Sequence, residues 1–539
     1  MTNMQLAANV LQVLVSSGIR EFCLCAGARN SPFVHILEEN QRMGLEENKD
    51  IKVYSFFEER SAGFFALGRM AKTQRPMAVI TTSGTAVAEL LPSAIEATYS
   101  SLPLVIVSAD RPKAYRGSGA PQSIEQVGIF SYYIEASLDI DAENTHFSVK
   151  GLTWKKPIHV NVCFDEPLID GSIMKLEMPS TSEWVKFPEQ VEPTVGLETI
   201  NFLQNHRPLV ILGTLPSKAQ LPILAFLKKI RCPIYAEGIS GLRGHSDLKA
   251  LEIRSGENFI HRLLDQGTCD AIFRIGGVPT VRLWRDLEDK RKSLPVLSVG
   301  YNHYSGLSRW VNHFTHLASL AAVEVPPQNP EHFKDLGIVL KEDISLTEKK
   351  DQLLAKYPRS EPAMVWALSK KLKGQSVYLG NSLPIRHWDL VADFDSYPSR
   401  VVGNRGANGI DGQVSTFLGW AEASTENWCL IGDLTAMYDL SALWITPQLE
   451  NKKMRIVVIN NKGGQIFQRL FKKDIFLNRH DLEFNCWAKM FHWEYQSWET
   501  IPEGNQYKTP LGEHQIIELI PDPQQTEAFH KEWDQVWKK

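Results

Sequence analysis

Two stretches decide the fold of this chain: NWCLIGDLTAMYDLSALWI at residues 427–445 and MRIVVINNKGGQIF at residues 454–467. Each begins with an apolar run typical of a buried strand and continues into a turn of glycine and polar residues. A helical pattern follows the first turn, so the order strand, turn, helix, strand predicts a parallel βαβ unit. Turns after neighbouring parallel strands lie at the same edge of the sheet, so we expect Asp433 and Asn461 to converge.

The same alternation of apolar strands and helices extends over the rest of the chain. Strands are predicted near residues 21–25, 52–57, 76–82, 103–109, 208–213, 232–238, 271–277, 294–300 and 376–380. Segments with many Pro, Ser or charged residues, near 178–195 and 324–359, predict domain boundaries. We therefore expect an α/β protein of three consecutive doubly wound domains with mainly parallel sheets, at residues 1–180, 195–330 and 358–539.

Composition excludes several classes of function. Lys and Arg number 58 against 62 Asp and Glu, a net charge of −4, which argues against a nucleic-acid partner. No apolar run approaches the roughly 20 residues that would span a bilayer. The N-terminus has the pattern of an amphipathic helix, with Leu6, Val10, Val13 and Leu14 on one face, instead of a signal peptide. Seven scattered cysteines without zinc spacing indicate reduced thiols and a cytoplasmic location.

The common nucleotide and hydrolase motifs are missing: G-x-x-x-x-G-K-[ST], G-x-G-x-x-G after the first strand, H-E-x-x-H and G-x-S-x-G. The turns of the two opening stretches offer another chemistry. The carboxylate of Asp433, the amide oxygen of Asn461 and the carbonyl of Gly463 would form an all-oxygen site, which suits Mg²⁺ and leaves room for diphosphate oxygens. The alternative is that Asp433 merely caps a helix.

A Gly-Asp pair followed about 28 positions later by Asn-Asn resembles the motif of thiamine-diphosphate (ThDP) enzymes. Further stretches resemble the 2-succinyl-5-enolpyruvyl-6-hydroxy-3-cyclohexene-1-carboxylate synthase family of menaquinone biosynthesis. They are CAGARNSPF (25–33), FFEERSAGFFALG (56–68), TTSGTAVAELLPSAIEA (81–97), SADRP (108–112), GNSLPIR (380–386), NRGANGIDGQVST (404–416), GDLTAMYDL (432–440) and NNKGGQIF (460–467). They lie in the first and third predicted domains, which the resemblance makes the pyrimidine-binding and diphosphate-binding domains.

The resemblance implies ThDP together with Mg²⁺ or Mn²⁺ as cofactors. Glu59 matches the catalytic glutamate that bonds N1′ of the aminopyrimidine and promotes proton loss from thiazolium C2. Its alternative role is a first-turn acid favoured by the helix dipole, and its neighbour Glu58 is expected to tolerate change. The implied metal ligands are Asp433, Asn461 and Gly463. The implied cofactor contacts are Glu59, Ile410, Gly432, Asp433, Leu434, Asn461, Gly463, Gly464, Gln465, Ile466 and Phe467.

The resemblance also implies the reaction, which is decarboxylation of 2-oxoglutarate and 1,4-addition of the resulting succinic-semialdehyde carbanion to isochorismate. Both substrates are dicarboxylates, which guanidinium groups bind bidentately. The implied substrate-binding residues are Arg29, Arg111, Gln122, Ser382, Arg386 and Arg405. Ala28, Asn30, Pro121 and Val281 depart from the family pattern, and Arg282 is a candidate to replace a lysine common at position 281.

Two alternatives stay open at this point. One is another ThDP enzyme, such as an acetolactate synthase or a different 2-oxoacid decarboxylase, although such an enzyme has no need for four carboxylate-facing arginines. The other is a non-catalytic homologue that still binds the cofactor, prompted by Ala28, Pro121 and Val281. Because the cofactor bridges two subunits in enzymes of this kind, the resemblance also implies a homodimer or a homotetramer.

Overall fold

The computed structural model describes residues 1–47, 51–178, 194–302, 304, 306–308, 312–314, 317–325, 336–449, 453–471, 473–503 and 514–538. Within these residues the strands form three sheets of six, five and six strands. Neighbouring strands run parallel in all three sheets. The predicted class, an α/β protein with three parallel sheets, is confirmed.

The first sheet has the strand order 2-1-3-4-6-5. Its strands are β1 (Glu21–Cys25), β2 (Lys52–Phe56), β3 (Met77–Thr81), β4 (Leu104–Asp110), β5 (Ala136–Ile140) and β6 (Ile158–Cys163). Its helices are α1 (Asn3–Ser16), α2 (Ser31–Glu47), α3 (Glu59–Thr73), α4 (Thr85–Ala88) and α5 (Leu91–Ser100). The strand order reverses between β1 and β3, and ligands of open α/β sheets bind beyond the carboxyl ends of strands at such a reversal.

The second sheet has the order 11-10-9-7-8. Its strands are β7 (Pro208–Leu212), β8 (Ile234–Ala236), β9 (Ala271–Ile275), β10 (Val296–Gly300) and β11 (Asn312–Phe314). The helices are α6 (Thr194–Asn205), α7 (Ser217–Ile230), α8 (Glu257–Asp265) and α9 (Arg282–Asp286), followed by α10 (Leu336–Lys356). The charged stretch predicted as part of a boundary therefore contains a long helix, which buries Leu346 and Leu354.

The third sheet has the order 13-12-14-15-17-16. Its strands are β12 (Ser376–Leu379), β13 (Arg400–Val402), β14 (Glu426–Gly432), β15 (Lys453–Ile459), β16 (Glu494–Trp498) and β17 (His514–Leu519). The helices are α11 (Glu361–Lys371), α12 (Leu383–Val391), α13 (Gln413–Trp420), α14 (Asp433–Tyr438), α15 (Asn485–Met490) and α16 (Pro523–Val536). The order reverses between β12 and β14, which places a second ligand edge at the turns after these strands and after β15.

The described residues form two compact units. The first draws on residues 1–188, 406–423 and 437–451 and contains the first sheet; the second draws on residues 189–405, 424–436 and 452–539 and contains the other two. Two segments of the predicted third domain thus pack with the first unit. The domain boundaries at 1–180, 195–330 and 358–539 stay a prediction, and most of the linker predicted near 178–195 lies outside the described residues.

Helix α13 packs closely on α3 within the first unit because glycines face backbone on both helices. A Cβ at Gly68 would lie 2.0 Å from the Thr416 carbonyl oxygen, and one at Gly419 would lie 2.1 Å from the Phe65 carbonyl oxygen. This contact brings the 406–416 segment beside the helix that begins at Glu59. Among the described residues, none of the helices combines the length and apolarity that crossing a membrane requires.

Candidate active site

Glu59 lies at the carboxyl edge of the first sheet, where β2 leads into α3. Its Oε1 accepts a hydrogen bond at 3.2 Å from Oγ1 of Thr81, the last residue of β3. Burial raises the pKa of the Glu59 carboxyl, the Thr81 hydrogen bond lowers it, and the charge of Glu58 raises it. A carboxyl group with a raised pKa is suited to sharing a proton with a heterocyclic nitrogen near neutral pH.

Glu58 has a structural role that the local sequence did not reveal. It is the N-cap of α3, and its carboxylate accepts hydrogen bonds from the backbone N–H groups of Arg60 and Ser61, both at 3.0 Å. The Ser61 hydroxyl and the Ser441 hydroxyl also donate to it. Losing such a cap costs about 1 kcal/mol of helix stability, so we expect a change at Glu58 to destabilise α3. That catalysis tolerates a change at Glu58 stays a prediction.

Arg29 lies in the loop after β1 and is buried. It donates to the Phe164 carbonyl oxygen and to Oε1 of Glu166, each at 3.3 Å. Asn30 closes the same loop, because its amide bonds both the Gly27 N–H and the Cys25 carbonyl. The departure from the family pattern at position 30 is therefore compatible with an ordered loop.

Arg111 and Gln122 lie in the loop that follows β4. The Nε of Arg111 donates to the Pro121 carbonyl oxygen at 3.0 Å, and the guanidinium lies 5.7 Å from the centre of the Tyr115 ring. Gln122 is exposed and has a φ of +57°. Proline at 121 still contributes a carbonyl that orients Arg111, although it lacks the amide side chain common in the family.

The loop with Ile410 is anchored in the first unit by Glu96 of α5. This carboxylate, only 4% exposed, accepts hydrogen bonds from the backbone N–H groups of Gly406 at 2.8 Å and Ala407 at 2.6 Å. Ile410 follows in the same loop and is half-buried. The role of Glu96 was not predicted, because its two partners lie about 310 positions away in the chain.

Asp433 begins α14 at the carboxyl end of β14 and is 2% exposed. Its carboxylate accepts hydrogen bonds from its neighbour Leu434 N–H at 2.7 Å and from Gly463 N–H at 2.9 Å. His480 Nε2 lies 3.2 Å from Oδ2. Burial raises the pKa of the Asp433 carboxyl, while the two N–H donors and His480 lower it. The expected convergence of the turns after β14 and β15 is thus present.

Asn461 is held by a buried carboxylate that was not predicted from the sequence. Its Nδ2 donates to Oε2 of Glu361 at 2.9 Å, and its Oδ1 is buried without a hydrogen-bond partner among the described residues. A buried amide oxygen left unpaired is costly unless something binds it. Together with Asp433 and the Gly463 turn, this oxygen fits the donor set of a hard divalent cation.

The other predicted cofactor contacts lie around the same turn. Gly432 ends β14. Gly463 has a φ of +134°, a conformation that favours glycine, and Gly464 follows it. Gln465 Nε2 donates to the Asn461 carbonyl oxygen at 3.0 Å, Ile466 is half-buried, and Phe467 is exposed. Within the described residues no group of three His, Cys, Asp or Glu side chains could hold a metal. The predicted ligand set is of a different kind, because it has a single carboxylate and takes its other two oxygens from an amide and a backbone carbonyl.

Ser382, Arg386 and Arg405 lie at the edge beyond β12 and β13. Ser382 occupies the position before the first residue of α12 with a φ of +75°, a strained conformation for a residue with a side chain. Arg386 is exposed on the first turns of that helix, and Arg405 donates to Oδ1 of Asn381 at 2.7 Å. Arg282 is exposed and lies 3.8 Å from its helix neighbour Asp286.

The predicted residues divide between the two units. Glu59, Arg29, Arg111, Gln122 and Ile410 belong to the first unit. The second contains the remaining predicted residues, which are Gly432, Asp433, Leu434, Asn461, Gly463, Gly464, Gln465, Ile466, Phe467, Ser382, Arg386 and Arg405. Within each unit most of these residues lie in turns or loops that follow the carboxyl ends of strands.

Comparison with known families agrees with this geometry. The family described as "Thiamine pyrophosphate enzyme, N-terminal TPP binding domain" matches residues 4–129, which include β1 to β4 and Glu59. Thiamine pyrophosphate is another name for ThDP. The fold and the site therefore define a ThDP-dependent enzyme.

Full-length relatives specify the family. The chain is 61% identical over 539 residues, all of both chains, to a 2-succinyl-5-enolpyruvyl-6-hydroxy-3-cyclohexene-1-carboxylate synthase of Bdellovibrio bacteriovorus. It is 34% identical over 529 residues, 95% of each chain, to the synthase of that name from Akkermansia muciniphila. It is 29% identical over 564 positions, which cover 97% of this chain and 94% of the relative, to the synthase of that name from Chloroflexus aurantiacus. The chain belongs to the 2-succinyl-5-enolpyruvyl-6-hydroxy-3-cyclohexene-1-carboxylate synthase family. The predicted family and enzyme class, a ThDP-dependent transferase, are confirmed.

Proposed function

We propose that this chain decarboxylates 2-oxoglutarate and adds the resulting four-carbon unit to isochorismate, releasing CO₂, with a divalent cation, Mg²⁺ or Mn²⁺, holding the ThDP diphosphate. The observation that carries this proposal is the buried Oδ1 of Asn461, which has no hydrogen-bond partner among the described residues and lies on the turn that donates to Asp433. An oxygen in such a position matches a ligand of a hard cation. Asp433, Asn461 and the carbonyl of Gly463 are the proposed ligands.

The proposed division of roles follows from the chemistry of each side chain. ThDP, when bound, supplies a thiazolium that accepts the electron pair released with CO₂. Glu59 holds a proton at N1′ of the aminopyrimidine, a role that its raised pKa supports. Ile410 would support the cofactor. The Gly432–Leu434 turn and the Gly463–Phe467 segment would hold its diphosphate.

Substrate carboxylates are assigned to the strand-end arginines. Arg29, Arg111, Arg386 and Arg405 carry guanidinium groups in loops or first turns after strands, and Gln122 and Ser382 supply polar contacts beside them. Planar guanidinium groups bind carboxylates through paired hydrogen bonds, so dicarboxylate substrates suit this set better than pyruvate does.

Two further parts of the proposal follow from the family resemblance. A homodimer or homotetramer is proposed because Glu59 belongs to the first unit and Asp433 to the second, and in enzymes of this kind the cofactor bridges two subunits. The domains at 1–180, 195–330 and 358–539 are proposed as pyrimidine-binding, central and diphosphate-binding. A cytoplasmic location is proposed from the cysteines, all seven of which are free.

Product analysis by mass spectrometry tests the proposal. The wild type, with ThDP and Mg²⁺, should convert 2-oxoglutarate plus isochorismate into the family product, and Glu59→Gln should lose at least about 100-fold of that rate, as expected for a positioned acid–base group. Glu125→Gln changes an exposed carboxylate of the same unit and should leave the rate unchanged. A preference for pyruvate would favour an acetolactate-synthase-like activity, and cofactor binding without turnover would favour a non-catalytic homologue; either result refutes the proposal.

A further inference from the structure

The amide of Asn461 is oriented by a carboxylate from a distant part of the chain. Glu361, the first residue of α11, is 2% exposed and receives the Asn461 Nδ2 hydrogen bond on Oε2 at 2.9 Å. The two residues are 100 positions apart, so only the fold brings them together. The side chain of Asn461 lies on the turn after β15, and Glu361 approaches it from the helix that precedes β12.

A carboxylate specifies which way the amide faces. An ionised carboxylate has acceptors and no donor, whereas the amide has an NH₂ donor at one corner and an oxygen acceptor at the other. Only the NH₂ corner can face Glu361 favourably. The Oδ1 corner must then face away, which is where the structure has it, buried and without a hydrogen-bond partner among the described residues.

Glu361 is restrained at its backbone, and its second carboxylate oxygen lies close to a buried histidine without a hydrogen bond to it. His387 Nδ1, on α12, lies 3.0 Å from Oε1, and both side chains are buried. The backbone N–H of Glu361 donates to Oγ1 of Thr526 at 3.0 Å, which fixes the start of α11 against α16. A buried carboxylate whose backbone is fixed in this way can restrain its amide partner in turn.

We propose that Glu361 is a positioning residue that fixes the amide of Asn461 with its oxygen toward the divalent cation, without itself binding the cation. The inference rests on the proposed function, since it requires the cation site at Asp433, Asn461 and Gly463. Replacing the carboxylate by an amide removes the preference, because an amide at position 361 can pair with either corner of Asn461. Part of the population would then present an NH₂ group to the cation.

The test is Mn²⁺ binding, measured by electron paramagnetic resonance of free Mn²⁺ at saturating ThDP, with protein-free ThDP as the blank. Glu361→Gln should weaken Mn²⁺ binding about 10–100-fold, the usual effect of losing a partner that orients a metal ligand. Asn461→Asp alone should also weaken it, because it sets two carboxylates against each other. The double variant should bind Mn²⁺ more tightly than either single variant, since the amide at 361 then donates to the carboxylate at 461.

Rescue in the double variant distinguishes positioning from a general structural role, which would make the two changes additive. Unchanged Mn²⁺ affinity in Glu361→Gln, or losses that simply multiply in the double variant, would overturn the inference. If Glu361→Gln does not fold, Glu361→Asp is the second variant, because it keeps the charge but shortens the side chain. It should weaken Mn²⁺ binding, and unchanged affinity would again refute the inference. Glu532→Gln, a carboxylate change on α16 in the same unit, should leave the affinity unchanged.

Failure of the proposed function has a different signature. If the wild type binds no Mn²⁺, or if Asp433→Asn leaves Mn²⁺ binding unchanged, the cation site itself is wrong. If that site exists and Glu361→Gln leaves its affinity intact, only the positioning role is wrong.

Discussion

Replacing Asp439 by asparagine should remove a large pH dependence from the stability of the first unit. Asp439 is fully buried and accepts hydrogen bonds from the Ser415 N–H at 2.7 Å and the Ser415 hydroxyl at 3.0 Å. Arg60 Nη2 lies 3.9 Å from its carboxylate, and the like charge of Glu58 also acts on it. Asp439 thus fixes the start of α13, just after the Ile410 loop, beside α3.

Burial raises the pKa of Asp439 from its ordinary 3.8 to about 6, because the ionised form is poorly solvated there. Between about pH 4 and pH 6 the folded protein keeps a proton on this group that the unfolded chain has lost. The free energy of unfolding therefore falls as pH rises through this window and levels off above it. At about 1.4 kcal/mol per pKa unit, the contribution is about 3 kcal/mol.

The measurement is urea-induced unfolding of wild type and Asp439→Asn between pH 4.5 and 7.5, followed by tryptophan fluorescence. The asparagine keeps an acceptor for Ser415 but does not titrate. Its free energy of unfolding, minus that of the wild type, should rise by about 2 kcal/mol across this range. Asp289→Asn, at an exposed position, should give a difference that does not change with pH. Parallel pH profiles for wild type and Asp439→Asn would refute the reasoning.

Three further predictions concern packing, positioning and thiol chemistry. Gly412→Ala should sharply lower the thermal unfolding midpoint, since its Cβ would lie 1.9 Å from a ring atom of Phe64 at a φ of +63°. The control Gly151→Ala, at a φ of +84° in open space, should cost only about 1 kcal/mol. Equal effects of the two changes would show that the Phe64 ring does not exclude a side chain at position 412. Glu96→Gln sets an NH₂ group against one of two backbone N–H donors that hold the Ile410 loop. The KM for ThDP should therefore rise several-fold while circular dichroism shows wild-type secondary structure; an unchanged KM would show that the loop is held otherwise. Native protein should show one thiol that reacts fast with a disulfide reagent, and Cys486→Ser should lose it, because the other six cysteines are buried. Several fast-reacting thiols would contradict the burial of those six cysteines.

Several strands were not predicted because they carry polar residues in buried positions. Strand β6 buries His159 and Asn161, whose partners Ser108 and Gln126 come from elsewhere in the chain. Strand β17 buries Glu518, which accepts hydrogen bonds from other segments. An apolar pattern detects a strand whose side chains are satisfied by packing alone. It does not detect one that depends on long-range hydrogen bonds.

Local sequence determined the strands β14 and β15, the turns that follow them, and the helix beginning near Glu59, because periodicity and turn residues act over a few neighbouring positions. The resemblance of these turns to known motifs was enough to predict Asp433 and Asn461 as a pair. Only the tertiary structure decided which of two adjacent glutamates caps a helix and which faces Thr81. It alone decided which way the Asn461 amide turns, because the carboxylate that orients it is 100 residues away and donor–acceptor geometry depends on atoms that folding brings together.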